Sequence, residues 1–137
     1  MTLASDVIVA MVALSDALVL AVDDDPAMRD LLALILGRSV REVVVAGSVD
    51  EALKLLECLH PALIVSDLCM PDQDGYDLIR RIRSSGGENQ ATPAVALSAY
   101  AQDACRDAAL AAGFDMFLRK PLDVVHFVPV LEALLAG

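Results

Sequence analysis

Ala62-Leu63-Ile64-Val65-Ser66-Asp67-Leu68-Cys69-Met70-Pro71-Asp72-Gln73-Asp74-Gly75 is the stretch from which the rest of the chain can be read. Its apolar start, framed by Pro61 and by an acid, is too short for a helix and reads as a strand buried on both faces. Asp67 then stands at the mouth of that strand, and the residues up to Asp74-Gly75 turn the chain away. An earlier apolar run, Ala17-Leu18-Val19-Leu20-Ala21-Val22, ends the same way in Asp23-Asp24-Asp25-Pro26. Two strand ends can therefore pool their acids.

Working outward, helices alternate with strands. Pro26 suits a first helical turn, and Met28, Leu31, Leu32, Ile35 and Leu36 recur at helical spacing until Gly37. Asp25 reads as the cap of this helix rather than as a metal ligand. Glu42 to Ala46 is a β-branched run, after which Ser48 and Glu51 offer a capping box for a helix that turns Ala52, Leu53, Leu55, Leu56 and Leu59 inward and stops at Pro61. Asp74 to Arg83 is the third helix, with Leu78, Ile79 and Ile82 as its buried stripe. Arg80, Arg81 and Arg83 read as a solvated face. A polar connector, residues 84–90, leads to a short strand from Pro93 to Leu97 that ends at Ser98. Asp103 to Ala112 is an alanine-rich helix closed by Gly113, Met116-Phe117-Leu118 is a fifth strand, and Val124 to Leu135 is a last apolar helix. Pro129 requires that this helix either begin late or be kinked. Five strand-then-helix repeats predict an α/β fold, a doubly wound five-stranded parallel sheet with five helices; the flavodoxin-like strand order is 2-1-3-4-5.

A chain of 137 residues is the size of one domain, expected here over residues 17–137. Residues 1–16 read as an N-terminal extension or linker: the tail of an upstream domain, an added helix, or residues foreign to the fold. The formal charge of -10, from 20 acidic and 10 basic residues, repels nucleic-acid phosphates, and 4% aromatic content leaves few stacking platforms, so direct nucleic-acid binding is not expected. Cys58, Cys69 and Cys105 form no CxxC pair, which argues against a disulfide framework or zinc site and for a reducing, cytoplasmic setting. The apolar stretch from Val7 to Leu14 is too short to span a bilayer, and no basic residue precedes Arg29, so neither membrane insertion nor a secretory signal is expected.

In an open parallel sheet, ligands bind beyond the carboxyl ends of the strands where the strand order reverses, which in this order falls between strands one and three. Asp23, Asp24 and Asp67 end those two strands. Carboxylates so gathered repel one another unless a cation joins them, and an all-oxygen set suits Mg²⁺ or Mn²⁺. Ser98 and Lys120 follow strands four and five, adding a hydroxyl and an ammonium. Acids, metal, hydroxyl and lysine together describe a phosphoryl site.

The Asp23-Asp24 pair, Asp67 with Met70-Pro71 and Asp74-Gly75, Ser98-Ala99, Phe117 and Lys120-Pro121 together resemble the receiver domain of bacterial two-component response regulators, over about Ala17 to Leu135. The resemblance implies that Asp67 is the phosphoacceptor, taking a phosphoryl group from a phosphohistidine on a sensor histidine kinase or a histidine phosphotransfer protein. It implies that Asp24 and Asp67 bind Mg²⁺ directly, Asp23 through water, and that the Cys69 backbone carbonyl completes the protein ligands. Lys120, joined to Pro121 by a cis bond, would pair with the phosphoryl oxygens. Ser98 would swing toward them and Phe117 rotate into the space it leaves, so that the face of helix four, strand five and helix five reports the modification. Such a domain is a signalling domain, not an enzyme, and assists its own phosphorylation and dephosphorylation. Ile64 to Asp67, Asp74 to Arg81, and Ala111 to Pro121 look most like receivers of hybrid sensor kinases.

Two positions depart from the family's commoner pattern. Ser98 stands where threonine is usual and keeps the hydroxyl, while Cys69 and Tyr100, two residues beyond Asp67 and Ser98, would tune the phosphoryl lifetime in a direction that their sizes leave open. Cys69 reads as a small apolar filler in preference to a redox sensor, and His60 and His126 read as structural. A phosphorylation-independent interaction module, or pseudo-receiver, is the alternative. A metal-dependent phosphatase is disfavoured, because such enzymes want a second Asp where Cys69 stands.

Overall fold

The computed structural model describes residues 13–70, 74–99 and 103–136, so the expectations placed on Pro71 and Tyr100 lie outside the described residues. A 3-10 turn, Leu14–Asp16, leads into β1 (Leu18–Val22), α1 (Pro26–Gly37), β2 (Glu42–Ala46), α2 (Val49–Leu56), β3 (Leu63–Asp67), α3 (Gly75–Ser84), β4 (Ala94–Ser98), α4 (Asp103–Ala112), β5 (Met116–Arg119) and α5 (Val124–Ala136). The strands form one sheet in the order β2-β1-β3-β4-β5, and every neighbouring pair is parallel.

Strand periodicity divides the core in two. Val19, Ala21, Leu63, Val65, Val95 and Leu97 pack with Leu32, Ile35 and Leu36 of α1 and Phe127 and Leu131 of α5. Their neighbours Leu20, Val22, Ile64, Ala94 and Ala96 pack on the other face with α2, α3 and α4, through residues such as Ala52, Leu78, Ile79 and Ala109. The central strands β3 and β4 are buried along their whole length, as continuous apolar runs in a parallel sheet require. Leu14 is buried among the α1 and α5 residues.

Local signals set the helix starts. Asp25 accepts from the Ala27 amide, Ser48 from Glu51 and Asp74 from Asp77, each satisfying an otherwise orphaned first-turn donor. Glu51 reaches back as a capping box asks, but to the amide of Gly47. The helix ends depend on longer reach. Against the expectation that α2 runs to Pro61, it ends at Leu56, because Asn89 Nδ2 donates to the carbonyls of Leu56 and Leu59 at 3.1 and 3.0 Å and satisfies groups that further helix would have used. Leu59 is accordingly outside α2. Leu31, one of the apolar residues at helical spacing in α1, is 39% exposed. Pro129 lies inside α5, which begins at Val124, so the late start does not occur.

Arg83 is not part of a solvated face. Its guanidinium donates to the carbonyls of Gly113, Gln90 and Thr92 and pairs with Asp115 at 3.0 Å, tying the end of α3 to the connections that lead into β4 and β5. Gly113, at φ +127°, holds a backbone conformation that side chains rarely adopt, directly under Arg83.

The start of α3 sits on the backbone of the β3 turn, and Gly75 makes that possible. Its amide donates to the Leu68 carbonyl at 3.0 Å, and a Cβ there would lie 2.4 Å from the Asp67 carbonyl oxygen. Gly75→Ala gains helix propensity of at most about 1 kcal/mol, but overpacking against backbone costs about 1–3 kcal/mol, so a net loss is expected in urea unfolding; unchanged or higher stability would contradict this contact.

Candidate functional site

β1 and β3 are paired with Val22 opposite Ser66, so the next residues, Asp23 and Asp67, leave the sheet side by side at its carboxyl edge. Three carboxylates, of Asp23, Asp24 and Asp67, place oxygens within 4.8 Å of one another; Asp23 and Asp67 are buried and Asp24 is exposed. Lys120, one residue beyond β5, reaches between them. Its Nζ lies 2.9 Å from Asp23 Oδ2 and 3.4 Å from Asp67 Oδ1. The Lys120-Pro121 bond is cis, and the Lys120 amide donates to the Ser98 carbonyl at 2.8 Å, which ties the end of β4 to the lysine.

The electrostatics follow from this crowding. Burial, and then the charge of Asp23, push the Asp67 carboxyl above the ordinary carboxylate value, against the opposing pull of Lys120 and of the Cys69 amide that hydrogen-bonds it. Burial pulls Lys120 down, but its hydrogen bond to Asp23 and the charges of both acids outweigh that, so the ammonium is held above its usual value. The lysine therefore stays charged through the neutral range.

Ser98 is buried at the end of β4. Phe117 is half-buried on the α2–α4 side, opposite Ala96, which shares a face of β4 with Ser98. It also lines a groove of about 390 Å³ with Leu110, Met116, Arg106 and Arg119. Cys69, expected as a small apolar filler, is exposed, and its amide hydrogen-bonds Asp67. Desolvation and the neighbouring Asp67 charge push its thiol up, which keeps it from the reactive thiolate form a redox sensor needs. His60 pairs with Glu88, and His126 with Asp123 at the start of α5; neither belongs to the Asp23, Asp24 and Asp67 cluster.

Sequence reasoning missed Arg29. From the first turns of α1 its Nη1 donates to the Asp23 carbonyl at 2.8 Å while the guanidinium lies over Gly47, so it joins the acidic loop to the turn after β2. Its place six residues after Asp23, at the open end of a helix, was the available signal.

The family model for the response regulator receiver domain matches residues 19–132, and the chain belongs to that family, the receivers of two-component systems. It is 44% identical over 114 residues to an uncharacterized 14.6 kDa protein of Leptolyngbya boryana, spanning 83% of this chain and 86% of that one. It is 37% identical over 120 residues to the sensor histidine kinase RcsC of Escherichia coli, spanning 86% of this chain but 12% of RcsC. The structure resembles the chemotaxis response regulator CheY4 of Vibrio cholerae, with TM-score 0.80, 26% identity, and coverage of 87% of this chain and 98% of that one. It also resembles the receiver domain of a Pseudomonas aeruginosa sensor histidine kinase with a magnesium ion coordinated in its active-site cleft, with TM-score 0.80, 25% identity, and coverage of 89% and 99%.

The raised Asp67 carboxyl has a thermodynamic consequence. The folded protein keeps that proton at a pH where the unfolded chain has released it, so this group favours the fold at low pH and the contribution is lost as pH rises through the raised value. In chelator at pH 7, Asp67→Asn is expected to melt higher than the parent, with the difference shrinking toward pH 4; a lower melting temperature at pH 7 would contradict the reading.

Proposed function

We propose that residues 17–137 act as a phosphoacceptor receiver in a two-component phosphorelay, with Asp67 as the nucleophile. The observation that carries this reading is the packing of three strand-end carboxylates within 4.8 Å of one another, with Lys120 against two of them. One carboxylate oxygen of Asp67 attacks the phosphorus of a phosphohistidine; a P–O bond forms, the P–N bond breaks, and the imidazole nitrogen takes the electron pair. The donor is a sensor histidine kinase or a histidine phosphotransfer protein. The matched segments of sensor kinases favour a hybrid-kinase setting, and the charge of -10 favours protein partners over nucleic acid, in the cytoplasm.

The donor set fits a hard divalent cation, since all three side chains offer carboxylate oxygen. Asp24 and Asp67 would hold Mg²⁺ directly, Asp23 through water, with the Cys69 carbonyl as a further ligand. When bound, the ion neutralises charge on the phosphoryl oxygens. Lys120 supplies the second positive charge and orients the acceptor through its contacts with Asp23 and Asp67. Ser98 hydrogen-bonds the added group, and Phe117 turns inward as Ser98 moves, changing the surface of α4, β5 and α5. Cys69 and Tyr100 govern water access and so the lifetime of the acyl phosphate, which the domain helps to hydrolyse.

Incubating the full chain with phosphoramidate and Mg²⁺ is expected to add one base-labile, hydroxylamine-sensitive phosphoryl group, read by intact mass. Asp67→Asn, with its fold verified by circular dichroism, is expected to gain none. An absence of modification in the folded parent, or equal modification in the variant, would overturn the assignment.

A further inference from the structure

The pairing of β1 with β2 ends at Val22 and Ala46, and one step later the Asp23 amide still donates to the Ala46 carbonyl at 3.0 Å. The Asp23 carbonyl then needs a donor that the turning chain no longer offers. Arg29 supplies it from α1, its Nη1 donating at 2.8 Å. That carbonyl belongs to the planar peptide joining Asp23 to Asp24, so the guanidinium fixes the plane from which Asp24 projects.

The two neighbouring acids are held by different means. The Asp23 carboxylate accepts from the Asp25 amide and from Lys120 Nζ. Asp24 is exposed, and among the described residues its carboxylate takes no hydrogen bond, so its direction follows from its backbone. Gly47 leaves room for the arginine's hold on that backbone. A Cβ at position 47 would lie 2.9 Å from Arg29 Nη1 and 3.4 Å from Cζ, close enough to push the guanidinium off the carbonyl. Those atoms are the far end of a flexible side chain, so Gly47→Ala displaces the arginine without touching the acids. Charge alone gives Arg29 the opposite effect. By Coulomb repulsion a guanidinium beside a cation site disfavours the ion, and its removal would tighten binding.

We propose that Arg29 is a positioning residue for the divalent-cation site, acting on Asp24 through the Asp23–Asp24 peptide; the inference rests on the cation site proposed above. The test is a Mg²⁺ titration of the chelator-treated full chain, followed by amide NMR shifts, with urea unfolding in chelator as the check on the fold. Arg29→Met is expected to weaken Mg²⁺ binding about tenfold, as loss of a group that orients a metal ligand does. Gly47→Ala is expected to weaken it in the same direction, and to add nothing once Arg29→Met is present. In an Asp24→Asn background, Arg29→Met is expected to cost no further affinity, whereas a general loosening of the site would lower it again. Unchanged or tighter binding in Arg29→Met, or a further loss in Asp24→Asn, would overturn the role. Should Arg29→Met fail to fold, Gly47→Ala decides alone, and unchanged affinity there would overturn it. No binding by the folded parent would remove the cation site itself, and the role of Arg29 with it.

Discussion

Lys120 Nζ stands between two buried carboxylates, 2.9 Å from Asp23 and 3.4 Å from Asp67, and the carboxyl edge of the sheet is organised around that contact. Burying two acids side by side is costly unless a cation is supplied. The lysine offsets part of that cost, as its raised pKa records, while the raised pKa of Asp67 records what is left over. The remaining imbalance makes the site receptive to a divalent cation and to a group that changes the charge of Asp67.

The surrounding backbone keeps this arrangement from relaxing. Asp23 accepts from the Asp25 amide, and its carbonyl is held by Arg29. Asp67 is held from below by the close seat of Gly75 and by the pairing of the Leu68 amide with the Leu97 carbonyl. Lys120 is fixed by the Ser98 carbonyl. The turn after Asp67 and the backbone of Lys120 are both tied to the end of β4, so the acceptor side of the site and the lysine share one strand end. Phe117 is close by, since its cross-strand partner Ala96 lies on the same face of β4 as Ser98.

How much of this was legible in the chain depended on range. The strands, their order and the caps at Asp25 and Ser48 could be read because alternation and capping act over a few residues. The gathering of Asp23, Asp24, Asp67 and Lys120 was legible because parallel topology sends every strand's carboxyl end to one edge. What escaped was long-range and aimed at backbone: Asn89 closing α2 from about 30 residues away, and Arg83 bonding to Gly113 and Thr92. A carbonyl carries no side-chain signature, so its partner cannot be recognised before the fold brings them together. The true end of α2 was missed for that reason, and Arg83 was mistaken for a solvated residue.

The function of this edge of the sheet turns on whether the three carboxylates act as one cation site. Titrating Mg²⁺ into the chelator-treated full chain, with heat as the readout, measures this. Asp24 is exposed and can be changed without disturbing the core, so Asp24→Asn isolates the site from the fold. Saturable binding of one ion per chain is predicted for the parent, weakened about tenfold or more in Asp24→Asn. Equal affinity in the variant, or no binding by the folded parent, would contradict the shared-cation site.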